Sequence, residues 1–199
     1  IENIYRQVAA SITENTIGNV LRNLFESPNK IRLYRYYSSI TDNEAAYLAD
    51  GFFHSFKKRF TLQGLSNQFL EYLEANKNEI RILLKKGDLD VLYFRFFQQD
   101  EPEKHLGSLF TRLVHAFFPH QYCPLDVQLK EYFNLRQDSY YIAMYIVSKA
   151  YLQVAARHPE WTGLLKNTLI QLDEYGTFRE EQITDIKLLD LFCRTKAQE

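Results

Sequence analysis

A carboxylate, two imidazoles and a thiol crowd into residues 115–126: His115, His120, Cys123 and Asp126, with Arg112 just before them and Lys130 just after. An aspartate beside a fixed arginine can steady a developing positive charge or move a proton. Nitrogen and sulfur donors spaced H-x4-H-x2-C, with Asp126 as a fourth ligand, are of the kinds that zinc takes. Pro119 and a helix end stand between these groups, and a histidine beside an apolar face is more often buried and hydrogen-bonded to backbone. No metal and no cofactor is therefore expected, and Asp126 is the candidate catalytic group.

The elements that must position Asp126 are a helix, a proline-bounded turn and a second helix. Leu106, Leu109, Phe110, Leu113, Val114 and Phe117 recur at i, i+3, i+4, i+7, i+8 and i+11, which predicts a helix deeply packed on one face. Pro119 ends it and Pro124 restarts the chain at the first position of the next helix, where a missing N–H is harmless. Asp126 then falls in the first turn, where free amides and the helix dipole favour a negative charge. The plain reading is a helix-initiating acid that contributes about 0.5–1 kcal/mol to stability.

A sharper reading comes from resemblance. The run Cys123-Pro124-Leu125-Asp126-Val127-Gln128-Leu129 resembles the proline, hydrophobic, aspartate turn of the helix-hairpin-helix DNA glycosylases, most closely their 8-oxoguanine branch. Short bacterial members of that branch carry Thr-Lys-Leu-Leu-His-Phe before a proline, with the aspartate 14 residues after the lysine. Here Thr111-Arg112-Leu113-Val114-His115-Ala116 precedes Pro119, and Asp126 stands at the same remove from Arg112. Ile186-Lys187-Leu188-Leu189-Asp190-Leu191 is similar to their closing helix, so the resemblance spans about residues 105–195. Residues 1–97 carry no such resemblance.

The resemblance implies a helical scaffold on which the aspartate supports excision of a base flipped out of the duplex. Three departures weigh on that chemistry. Arg112 stands where the family has its nucleophilic lysine, and a guanidinium does not deprotonate to attack a sugar. The phosphate-binding hairpin is lacking, since Leu106-Gly107-Ser108 has one glycine, and Gln128 stands in place of a histidine.

The rest of the chain reads as helices and short loops. Glycine and proline number 7 and 5 in 199 residues, too few for an all-β sandwich. Nearly half the residues are hydrophobic, and a chain of this length buries about 70% of its unfolded surface, so it folds without a staple. One helix is expected over Glu2 to about Glu26, one from the capping box Thr41-Asp42-Asn43-Glu44 to Arg59, and one from Ser66 to Gly87. A short helix capped by Asp88 is expected to run to Phe97. Later helices are expected from Asp138 or Ser139 to His158, from Trp161 to Leu172, and from about Arg179 to Arg194. The polar run Gln98-Gln99-Asp100-Glu101-Pro102-Glu103 marks a junction between residues 1–97 and 98–199, whether as two subdomains or one continuous domain. The fold class is all-α, a bundle of seven to nine helices.

Charge and cysteine usage narrow the function classes. Twenty-four basic residues against 25 acidic ones lack the field of a tight non-specific nucleic-acid binder. Arg32 and Arg35, set among Tyr34, Tyr36 and Tyr37, could still stack on bases and meet phosphates; the plain alternative is an amphipathic helix with snorkelling side chains. Cys123 and Cys193 read as reduced thiols of a cytoplasmic protein. No apolar run is long enough to span a bilayer. The chain has no initiator Met and no signal-like start, and reads as trimmed or as the ordered part of something longer. Serine-hydrolase, Walker, zinc-protease and CxxC motifs are missing.

The leading expectation is a DNA-associated helical protein that recognises or processes a base or a DNA structure. In it Asp126 is the electrostatic or acid–base group, and Arg112, His115, Lys130, Arg32 and Arg35 contact DNA. The alternatives are a non-catalytic protein–protein interaction module of a larger assembly and a helical domain that binds an apolar ligand.

Overall fold

The computed structural model describes residues 1–26, 47, 49–62, 64–98, 106–173, 176, 180 and 183–197. The capping box at Thr41, the basic–aromatic cluster with Arg32 and Arg35, and most of the polar junction lie outside the described residues. Those described contain eleven α-helices, one π-helical stretch and no strand. The all-α expectation holds, with more helices than the seven to nine the periodicity suggested, because two long segments are broken.

The first break divides residues 2–26 into α1 (Glu2–Ser11) and α2 (Glu14–Glu26). Ile12 turns extended between them and stays buried. The Thr13 amide donates to Thr16 Oγ1 at 2.7 Å and the Thr16 amide to Thr13 Oγ1 at 3.2 Å. This is the reciprocity of a capping box with threonine in the usual glutamate position. Next comes α3 (Phe52–Arg59); Tyr47 is helical, but residues 49–51 are not, and Gly51, at a left-handed φ of 72°, interrupts the helix expected to run on to Arg59. Ser66 caps α4 (Asn67–Ala75) by accepting from the Phe69 amide at 3.1 Å. Asn76 interrupts the expected single helix, and α5 (Lys77–Lys86) follows.

Gly87, at φ 74°, closes α5 in a position that a side chain would strain. The Gly87 and Asp88 amides donate back to Leu84 O and Leu83 O, both at 3.0 Å, the paired bonds of a Schellman end. Asp88 precedes the short α6 (Leu89–Leu92) and makes no side-chain cap. A π turn over Tyr93–Phe97 continues it, closed by the Gln98 amide on Tyr93 O at 2.9 Å. The wider turn buries Tyr93, Phe96 and Phe97 and leaves Phe94 60% exposed.

The C-terminal half holds α7 (Leu106–Phe117), α8 (Val127–Tyr132), α9 (Tyr140–Arg157), α10 (Pro159–Leu172) and α11 (Asp185–Lys196). Ser139 caps α9 through the Ile142 amide, and Pro159 opens α10 two residues earlier than expected. Thr184 caps α11 through the Lys187 amide, so this helix starts later than Arg179. Instead of burying one face, α7 is buried almost all round, from Ser108 to Ala116.

In the bundle α1 packs on α9, α2 on α10 and α11, and α9 also touches α7, α10 and α11. The apolar core is continuous from Ile4 to Cys193, so helices on both sides of the polar junction share it. Among the described residues no helix is long and apolar enough to cross a membrane.

Candidate functional site

Asp126 sits at the end of a loop that its neighbours stitch down from several directions. Thr111 Oγ1, on α7, accepts from the Leu125 amide at 2.9 Å and donates to Leu125 O at 3.1 Å. Ser148 Oγ, on α9, accepts from the Cys123 amide at 2.9 Å and donates to Met144 O at 2.6 Å. Thr184 Oγ1, ahead of α11, donates to Pro119 O at 2.9 Å. His115 Nδ1 lies 2.7 Å from Tyr122 O, and because a carbonyl only accepts, Nδ1 carries the proton there. The backbone polar groups of a buried loop need such partners. The types present at 111, 115, 148 and 184 are the ones that supply them.

Asp126 is the N-cap of α8 rather than a residue of its first turn, and Pro124 lies ahead of the helix instead of inside it. A backbone that must turn extended at Asp126 (φ −133°, ψ −177°) places the cap after the proline. Oδ1 accepts from the Leu129 amide at 3.0 Å. Oδ2 is ion-paired with Arg194 Nη1 and lies 3.8 Å from Arg112 Nη2. Arg194 Nη2 also reaches Asp190 Oδ1 at 3.2 Å and Pro124 O at 3.3 Å. Charges thus alternate along one chain of contacts, Asp190, Arg194, Asp126 and Arg112. Burial pushes the Asp126 carboxyl up, but Arg194, the Leu129 amide and Arg112 outweigh it and hold the group below the ordinary carboxylate range.

The structure brings Arg112 to Asp126, as the spacing suggested, but with its side chain only 8% exposed and its guanidinium 5.4 Å from the Phe60 ring centre. His115 is buried, and Lys130 is turned away: its ammonium donates to Asp138 O and sits 4.4 Å over the Tyr140 ring. The imidazole is therefore engaged with the loop, not with Asp126. Cys123 Sγ is buried 3.4 Å from Ser148 Oγ, and burial raises the thiol well above its ordinary value. Among the described residues no three His, Cys, Asp or Glu side chains gather as metal ligands would.

Three residues of the site escaped the sequence reading. Arg194 and Asp190 are four apart on α11 within an apolar run, and a charged pair at that spacing inside Leu188-Leu189-Leu191-Phe192-Cys193 is the signal that marks them. Tyr140 is the third. Its ring lies against Gly107, and burial followed by the Asp126 charge pushes its hydroxyl up to about 12.

The buried acids and His115 make opposite demands on pH. Burial raises Asp190 to about 6 despite Arg194, so between about pH 4 and 6 the folded chain holds a proton that the unfolded chain has lost, and stability from this group falls as pH rises. Burial lowers His115 to about 3, so over about pH 3 to 6.5 the unfolded chain holds the extra proton and stability rises with pH. The two slopes oppose one another across the shared window. Asp190→Asn removes one of them. Unfolding free energies from urea titrations should then climb between pH 4 and 6 by about 1 kcal/mol per pH unit relative to the parent; parallel profiles would refute the assignment.

Comparison with family models, with curated proteins and with solved structures finds no match to this chain.

Proposed function

We propose that this chain is a non-catalytic helical interaction module, in which Asp126 holds helices together rather than attacking or activating a substrate. The commitment of that carboxylate carries the reading. One oxygen caps α8 and the other lies between two arginines, so neither is presented to a reacting atom. A base must reach the proton it removes. Burial of Arg112 and His115 argues in the same direction.

The surface for a protein partner is an apolar patch. Phe94 and Tyr141 have ring centres 6.3 Å apart, and Val91, Ile142 and Tyr145 are exposed on the same two elements, α6 with its π turn and α9. Clusters of exposed apolar side chains mark interaction sites more often than scattered ones do. A cytoplasmic setting fits two buried cysteines that stay as thiols.

A second reading, non-catalytic recognition of a DNA structure, is favoured by one observation: Arg112 and Asp126, spaced as in the glycosylase pattern, do meet. One set of assays separates the readings. The purified chain is incubated with duplexes carrying 8-oxoguanine, uracil or an abasic site, with and without borohydride trapping, and titrated with DNA at several salt concentrations. The module reading expects no excision, no trapped adduct and no salt-dependent DNA binding. Excision that disappears in Asp126→Asn would overturn it; binding that weakens steeply with salt would favour the second reading.

A further inference from the structure

We propose that the apolar patch around Phe94 and Tyr141 is covered by a second copy of this chain, packed across a two-fold axis; the inference rests on the module reading and names its partner. The exposure of Phe94 is built into the backbone. Val91 in α6 and Phe94 in the π turn stand three apart, and the wider turn sets both outside while Tyr93, Phe96 and Phe97 stay in the core. Single π turns of this kind are frequent at functional sites. Beside them Tyr141, Tyr145 and Lys149 recur at i, i+4 and i+8, forming one ridge of α9, with exposed Ile142 next to it.

The charges at the two ends of the ridge select the chain itself as the occupant. Asp90 lies at the Tyr141 end, where burial and then the Asp90 charge raise the Tyr141 hydroxyl. Lys149 lies at the other end, its ammonium 5.5 Å from the Tyr145 ring centre. About 12 Å of helix separates residues 141 and 149. Both charged residues are exposed, and Arg95, beside Phe94, is already paired with Glu79. A patch rimmed by one sign of charge would select a partner of the other sign; this one carries one sign at each end. A two-fold axis crossing α9 near Tyr145 sets the second copy antiparallel, so that Asp90 meets the partner's Lys149 and Lys149 meets the partner's Asp90. The same contact then forms twice, as in any isologous interface. Phe94, Tyr141 and Tyr145 are aromatic anchors of the kind that carry binding energy, while the two ion pairs set register more than affinity. A formal net charge of −1 gives two copies little mutual repulsion.

The test is sedimentation equilibrium of the chain over about three decades of concentration. A reversible monomer–dimer equilibrium is expected. Phe94→Ser, Asp90→Lys and Lys149→Asp should each weaken it about tenfold or more. Circular dichroism checks helix content; all three positions are exposed, so the fold should hold. The decisive step is mixing. Asp90→Lys chains carry a cation at both ends of the ridge and Lys149→Asp chains an acid at both, so each repels its own kind, but one of each forms two ion pairs. Their mixture should recover the parent affinity as a heterodimer. A chain monomeric throughout, a dimer untouched by a folded Phe94→Ser variant, or a mixture no tighter than its components would each overturn the proposal. Monomeric behaviour would leave the module reading standing with an unrelated protein on the patch, since that reading falls only on excision or DNA binding.

Discussion

Replacing Arg194 with methionine should lower folding stability by about 3–5 kcal/mol, the cost of stranding buried carboxylates without their cation. Arg194 is 7% exposed at its side chain, and it serves Asp126, 21% exposed, and Asp190, 2% exposed. Its departure leaves one acid nearly out of reach of water. In a chain of this length that loss corresponds to a melting point about 6–20 °C lower. Arg194→Lys keeps the charge but not the fork that reaches two carboxylates and Pro124 O, so it should fall between the parent and the methionine variant. Adding Asp190→Asn to Arg194→Met should recover part of the loss, since an amide carries no unpaired charge. A methionine variant within 1 kcal/mol of the parent by urea unfolding would show that the alternating charges contribute nothing.

The second large effect is expected at Gly107. A Cβ there would overlap the Tyr140 ring, 2.7 Å from Cε2 and closer still to Cγ and Cδ2. The overlap falls on the root of the ring, so no small rotation of its tip relieves it, and the ring is also held by the Lys130 ammonium 4.4 Å from its centre. Overpacking costs about 1–3 kcal/mol and occasionally more, and an overlap this deep belongs at the upper end, against a gain of at most about 1 kcal/mol from exchanging glycine for alanine in a helix. Gly107→Ala should therefore destabilise the chain clearly. In a Tyr140→Ala background the obstacle is gone and only the helix gain remains, so the same substitution should become neutral or stabilising. That change of sign, read from denaturant midpoints of the four variants, is the decisive measurement. Destabilisation that persists without the tyrosine ring would disprove the packing account.

What the sequence makes legible follows the range of the interaction. The apolar spacing from Leu106 to Phe117 and the serines at 66 and 139 mark helices because the determining contacts lie within one or two turns. The breaks at Ile12 and Asn76 were not legible, since both segments keep a helical apolar period across them and only a threonine pair, or nothing distinctive, signals the interruption. Asp126 could be singled out as a helix-starting acid, and the resemblance set Arg112 beside it. Its main partner could not be found that way: Arg194 lies 68 residues further on, and no local pattern links the two. The total burial of α7 was equally out of reach. Gly107, Ser108, Thr111 and Arg112 look like a polar face until Tyr140, Leu125, Phe60 and Asp126 are brought against them.

The stitched loop also dictates a timetable. On a ribosome the segment from Pro119 to Asp126 emerges well before the groups that tie it down, Ser148, Thr184 and Arg194. α1 waits as well: Gln7 donates to Tyr132 O and the Tyr5 hydroxyl meets His158, partners 125 and 153 positions downstream. Contacts so distant along the chain close slowly. The nascent chain must therefore hold an acid without its arginine, and an opening helix without its seat, until α11 clears the exit tunnel. During that interval its uncovered apolar faces are the species most exposed to aggregation or to capture by a chaperone.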